Sequence, residues 1–158
     1  MNITKLKIHT WPENILTRAC KEVKVIDEEV CRNLDEMLKL MRQFQGMGLA
    51  GNQAGLNMRL VVIEIPGQVF KLVNPKIKKQ DGAISFLEGC LSFPELEFEV
   101  KRARKVLVEA QDENGRRIEI EAEGLLAVIF QHEIDHIQGK VFIEQISFWK
   151  RLQIAPKL

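Results

Sequence analysis

Residues 105–139 read KVLVEAQDENGRRIEIEAEGLLAVIFQHEIDHIQG, and the change of period inside that stretch decides the fold. Residues 105–110 and 117–122 are strand-like segments on either side of Asn114-Gly115, a dipeptide that favours the tight turn of a β-hairpin. From Leu125 to Gln138 the spacing turns helical, and Gly139 supplies a C-terminal stop.

Working outward, residues 27–44 place Val30, Leu34, Leu38 and Met41 three or four positions apart, the period of an amphipathic helix of about four to five turns. Asp27 can cap its first turn, and Glu28 and Glu29 complement its dipole. Residues 60–65 (LVVIEI) and 70–73 read as strands around a Pro66-Gly67 turn, and residues 96–101 alternate as a half-buried strand does. Strands in succession with hairpin turns predict an α+β fold rather than a doubly wound parallel one. The expected architecture is mostly antiparallel sheet packed around the second helix, with the other helix N-terminal to it.

A chain of 158 residues with no repeat, low-complexity tract or flexible linker predicts one domain over residues 1–158. A domain of this size buries about 68–70% of its unfolded surface, so folding alone requires neither disulfide nor metal. Hydrophobic residues at 46% and charged residues at 28% exclude disordered and fibrous classes. The formal net charge of +1 excludes the strong field of a dedicated nucleic-acid binder, so no direct DNA binding is expected. No apolar run approaches the ~20 residues of a membrane span, and the first residues lack a secretory core, so a cytoplasmic protein without a membrane partner is expected. Cys20, Cys31 and Cys90, an odd set, point to reduced thiols rather than a disulfide framework.

Gly46, Gly48 and Gly51 spell G-x-G-x-x-G, the dinucleotide-binding fingerprint. That motif needs a strand before it and a helix after it, whereas here a helix precedes and a strand follows. The nucleotide reading is therefore rejected. Two readings remain, a plain connector and a loop that lines a site; Met47 and Leu49 between the glycines, and the amide of Gln53, suit the second.

Gln131-His132-Glu133-Ile134-Asp135-His136 carries the strongest chemical signal. Histidines four apart stack on one helical face, and Glu133 is placed as a base toward a water activated by a metal. A solvated or hydrogen-bonded histidine pair is the bland alternative, but the apolar residues Leu125, Val128 and Ile129 just upstream argue against a solvated face. A catalytic metal needs a third protein ligand. A metzincin-like continuation fails because Phe142 stands where its last histidine belongs, and Glu144, eight residues past His136, is a short reach for a thermolysin-like carboxylate. Upstream, Cys20 and Cys31 suit small buried hydrophobes, while Cys90 follows Gly89 in what reads as a loop between strands. A thiolate with two imidazoles suits zinc or ferrous iron. His9, beside Trp11 and Pro12, reads as structural or surface.

Three segments together resemble the peptide deformylase family: Gly46-Met47-Gly48-Leu49-Ala50-Gly51-Asn52-Gln53, Glu88-Gly89-Cys90-Leu91-Ser92, and Gln131 through His136. The resemblance implies removal of the N-formyl group from the initiator methionine of newly made polypeptides, with release of formate. It implies Cys90, His132 and His136 as ligands of one divalent metal, Fe2+ in the cell with Zn2+, Ni2+ or Co2+ as substitutes. By the same resemblance Glu133 moves the proton, and Gln53 with the backbone N–H of Leu91 stabilises the oxyanion. Gly48 would bond the peptide backbone, Met47, Leu125 and Val128 would line the methionine pocket, and Glu88, counted with this group, would support the metal loop. The partners implied are N-formylmethionyl peptides and nascent chains at the ribosome.

The chain departs from the family pattern in places. Gly51 replaces an alanine, Gln45 stands where many bacterial members have an acid, and Glu97 where many carry an arginine near the substrate's path. The tail after Ser147, FWKRLQIAPKL, is shorter than the C-terminal helix that several bacterial members use on the ribosome. Two other readings stay open: a metalloprotease cutting internal peptide bonds, and a relative that binds formylated peptides without turnover.

Overall fold

Residues 5–145 are described in a computed structural model. In chain order the elements are α1 (Glu28–Gln43), β1 (Gly48–Ala50), β2 (Leu60–Ile65), β3 (Gln68–Asp81), β4 (Ile84–Cys90), β5 (Phe93–Arg102), β6 (Lys105–Gln111), β7 (Arg117–Glu123) and α2 (Leu125–Ile137). Short 3-10 turns lie at Asn14–Thr17, Asn52–Ala54 and Phe142–Gln145. The fold is α+β, as expected. The tail after Ser147 lies outside the described residues.

Every ladder between these strands is antiparallel. One sheet runs β1-β2-β3-β6-β7, and β4-β5 forms a separate hairpin. The continuous apolar run of β2 reflects cover on both faces. Val61 and Ile63 join the cluster that receives Phe130, Ile134 and Ile137 of α2. Leu60 and Val62 join the cluster that receives Leu34, Met37 and Met41 of α1. The large sheet is therefore held between the two helices. Phe130, fully buried, meets Phe70 edge-on at a centroid distance of 5.4 Å. The β4-β5 hairpin has its own apolar cluster, in which Phe93, Leu96, Phe98 and Val100 pack with Leu16 and Val141.

Both helix ends form where the sequence signals them. Asp27 accepts a hydrogen bond from the Val30 N–H at 3.0 Å, and Gly139 takes the left-handed conformation at φ +79 just past α2. A Cβ at Gly139 would also stand 2.8 Å from the Thr17 carbonyl oxygen, so the N-terminal segment can close over the end of α2.

Three elements differ from the expectation. The strand expected over 70–73 continues to Asp81, because a bulge at Asn74-Pro75 absorbs the missing proline donor. Asn74 holds that bulge by accepting from the Val23 N–H and donating to the Val23 carbonyl and to Gln111 Oε1. The glycine segment contributes a short edge strand, β1, and Gly89-Cys90 ends β4 rather than lying in a loop. Few side chains alternate clearly in either segment, which hides them from a periodicity reading.

Asp27→Ala removes the α1 cap and is expected to cost about 1 kcal/mol. Urea unfolding followed by circular dichroism should show a lower midpoint with an unchanged slope.

Candidate metal centre

Helix α2 is buried along nearly its whole length, so its two histidines face protein rather than water. One turn apart, their rings lie 4.8 Å centroid to centroid, with Nε2 to Nε2 at 3.1 Å. Cys90 reaches them from the end of β4, its Sγ 3.3 Å from His136 Nε2. The three ligand atoms all lie within 4.8 Å of one another. Tetrahedral bonds of 2.0–2.3 Å would hold such donors about 3.3–3.6 Å apart, so this cluster is close to the size a divalent ion requires.

The electrostatics point the same way. Burial disfavours a charge on His132, yet Cys90, Glu88 and Glu133 together raise its pKa well above 6.5. Burial, reinforced by His132 and Arg102, holds His136 neutral, well below 6.5. Surroundings that draw a cation onto one imidazole and keep the other as a lone-pair donor suit a metal cation between them.

Behind His132 lies a chain of charged groups that a linear reading of the motifs does not join. His132 Nδ1 stands 2.8 Å from Glu88 Oε1, which leaves Nε2 to face the other donors. Arg102 donates to both Glu88 oxygens, at 2.6 and 2.9 Å, and to Asp135 Oδ2 at 2.9 Å. Burial would raise the Glu88 pKa, but the hydrogen bonds from His132 and Arg102 hold it below its ordinary value. Glu88 therefore stays charged, fixing the orientation of the His132 ring and tying the end of β4 to β5. A signal for Arg102 was present in the sequence: it continues the inward positions Leu96, Phe98 and Val100 of β5, where a charged residue needs a buried partner.

Glu133 faces the same space, its Oε1 3.9 Å from His132 Nε2. Its Oε2 is buried without a hydrogen-bond partner, and burial pushes its pKa up to about 7, against the lowering pull of His132 and Arg102. A carboxyl held near neutrality in a cleft suits proton transfer in both directions. Gln53 is fully buried in the Asn52–Ala54 turn. It accepts from the Ala50 N–H at 2.9 Å and donates Nε2 toward Ser92 Oγ at 3.2 Å and Cys90 Sγ at 3.4 Å. Ser92 donates in turn to the His9 carbonyl at 2.7 Å, so the N-terminal segment ties the Gln53 turn to the Cys90 strand. That link crosses three distant segments and has no local signature.

Gly48 is forced by close approach: a Cβ there would lie 2.8 Å from Glu133 Oε1. At Gly51, where the family pattern has alanine, a Cβ would strike the Met58 carbonyl oxygen. A cleft of about 1050 Å3 opens above the cluster, lined by Met47, Gly48, Gln53, Glu88, Cys90, Leu91, Leu125, Val128, His132 and Glu133. The residues predicted from three separate motifs thus meet in one place. Met47 and Leu125 lie exposed at its rim, while Val128 is buried. Cys20 and Cys31 are elsewhere: Cys20 is buried with its thiol toward the Leu56 carbonyl, and Cys31 meets the Glu113 carbonyl. His9 pairs with Glu13.

An antiparallel α+β fold built on an H-E-x-x-H helix, with a thiol completing the donor set, is that of a metal-dependent hydrolase. Residues 5–152 match the model of the polypeptide deformylase family. Peptide deformylase from Aquifex aeolicus is 40% identical over 153 residues, covering 93% of this chain and 90% of that protein. The crystal structure of a peptide deformylase from Legionella pneumophila superposes with a TM-score of 0.91 at 40% identity, covering 96% of this chain and 91% of that one. That of a peptide deformylase from Synechococcus elongatus, in complex with actinonin, gives 0.92 at 34% identity over 99% and 88%. The chain belongs to the polypeptide deformylase family.

Glu88→Gln keeps an acceptor for His132 but loses the charge that Arg102 pairs with. Metal affinity should fall about 10- to 100-fold, read by chelator competition on protein whose circular dichroism is unchanged. Wild-type affinity would show that this carboxylate does not orient the ligand.

Proposed function

We propose that the chain is a single catalytic domain over residues 1–158 that removes the N-formyl group from the initiator methionine of newly made polypeptides. The observation that carries this reading is the convergence of Cys90, His132 and His136 beside the unpartnered Glu133 Oε2, at the base of a cleft with two free strand edges. Among the described residues β1 pairs only with β2, and β4 only with β5, leaving the segments Gly46–Gly48 and Phe86–Cys90 to flank the cleft. An extended peptide fits between them as an added strand, held by main-chain hydrogen bonds to Gly48 among others. Its methionine would rest against Met47, Leu125 and Val128.

Cys90, His132 and His136 would hold one divalent metal, Fe2+ in the cell, with Zn2+, Ni2+ or Co2+ able to replace it. When bound, the ion supplies Lewis-acid chemistry, polarising the formyl carbonyl and easing ionisation of water. Glu133 accepts the proton of the attacking water at its free oxygen and later delivers it to the leaving amine. As charge grows on the formyl oxygen, the Gln53 amide and the Leu91 N–H donate to it. Ala50 and Ser92 hold that amide in place beforehand, so little reorganisation accompanies the reaction. The buried walls of α2 exclude bulk water and strengthen each of these interactions. The substrates are N-formylmethionyl peptides, and nascent chains at the ribosome in the cytoplasm. No helix among the described residues is long and apolar enough to cross a membrane.

The direct test is formate release from formyl-methionyl peptides by protein purified without oxygen, together with analysis of its metal. Formate with about one ion per chain is expected; full metal occupancy without turnover would falsify the reading. Glu133→Gln should keep its metal and lose activity by orders of magnitude. Gln53→Ala should lower kcat by about 100- to 1000-fold. Cys90→Ala should lose most of its metal, whereas Cys20→Ala and Cys31→Ala should retain it.

A further inference from the structure

Glu97 stands on the rim of the cleft, one strand away from the Cys90 thiol. It is in register with Gly89 across the β4-β5 ladder, and its side chain leans over that glycine. A Cβ on Gly89 would lie 3.6 Å from Glu97 Cγ and 3.8 Å from Oε1. The alternation of β5 buries Leu96 and Phe98 and leaves Glu97 on the outer face. Glu95 lines the same rim, and neither carboxylate has an ion-pair partner among the described residues. Besides His132 at the base of the cleft, the basic side chain lining it among the described residues is Lys7, on the N-terminal segment.

Strand geometry decides which part of a peptide meets Glu97. Side chains of an added strand alternate between its two faces. With methionine turned inward onto Leu125 and Val128, the following side chain turns outward, toward the face that carries Leu87, Gly89 and Glu97. A carboxylate exposed there and free of partners attracts a cation and repels an anion.

We propose that Glu97 makes the protein select formyl-methionyl peptides whose residue after methionine is Lys or Arg over those in which it is Asp or Glu. This rests on the deformylase reading above and adds a second determinant to its substrate class. An exposed charge pair is worth little, and attraction of one substrate compounds with repulsion of the other. A ratio of roughly three- to tenfold in kcat/KM is therefore expected at low salt. It should shrink toward unity near 1 M salt, where the screening length is about 3 Å.

The experiment compares formyl-Met-Lys-Ser, formyl-Met-Ala-Ser and formyl-Met-Glu-Ser on nickel-loaded protein, with formate as the readout. The lysine peptide should lead and the glutamate peptide trail. Glu97→Gln should bring the lysine-to-glutamate ratio close to one, and Glu97→Lys should invert it. Glu99→Gln, on the same face but away from the cleft, should keep the wild-type ratio. Because each ratio is taken within one preparation, partial loss of folded protein does not alter it. A wild-type ratio of one, or a preference that survives Glu97→Gln, overturns the proposal. Turnover of the alanine peptide separates that failure from failure of the deformylase reading, which would release no formate from any of the three.

Discussion

The buried Glu88 carboxylate joins the two halves of the site. It receives His132 from α2 and both arms of the Arg102 fork from β5, while its own strand ends at the Cys90 thiol. Such groups leave water at a cost of several kcal/mol each, and only near-complete pairing offsets it; removing one partner typically costs 3–5 kcal/mol. The network therefore ties geometry to stability. A displaced hairpin would unpair charges, so the thiol and the imidazoles are held where a metal can find all three. Asp135, on α2 between the two histidines in sequence, accepts from the third Arg102 nitrogen, Nη1, and anchors the network to the helix.

Close approach of backbone does the complementary work on the other wall. The Gly46–Gly48 segment passes so near α2 and the turn after β4 that side chains would collide, with Glu133 at Gly48 and with Leu91 at Gly46. What results is a narrow gap between two strand edges that are unpaired among the described residues, floored by the apolar residues of α2. In the proposed reaction the chemistry belongs to its buried end, where charge is desolvated and strongly felt, and the proposed selection beyond methionine to its exposed rim, where charge is screened and weakly felt.

Much of this was legible one residue at a time. The i,i+4 spacing of His132 and His136 places both on one helical face, and that geometry needs no tertiary information. The alternation of β5, the Asn114-Gly115 turn and the Asp27 cap are equally local, and the elements they predict formed with nearly the expected bounds. Local patterns failed where tertiary contacts override propensity. Beyond residue 73 the strand runs past Pro75, which has no N–H to donate, because Asn74 secures a bulge there by bonding to Val23, about fifty positions away in sequence. Strands β1 and β4 form because each has a partner to pair with, although neither carries a strong pattern of its own.

The amino-acid sequence by itself determined the α+β class and the pairing of His132 and His136 beside Glu133, because these depend on residue type and short-range spacing; Cys90 and Gln53 joined them through the resemblance of three motifs to one family. Only the tertiary structure decided that Arg102 joins Glu88 to Asp135, that Ser92 and His9 hold Gln53, and that Glu97 leans over Gly89. Those relations join residues from different segments, and local spacing does not encode which distant groups a buried charge will find. Partner choice is set by the requirement that every desolvated polar group be paired, and that requirement is met only once the sheets and helices have packed.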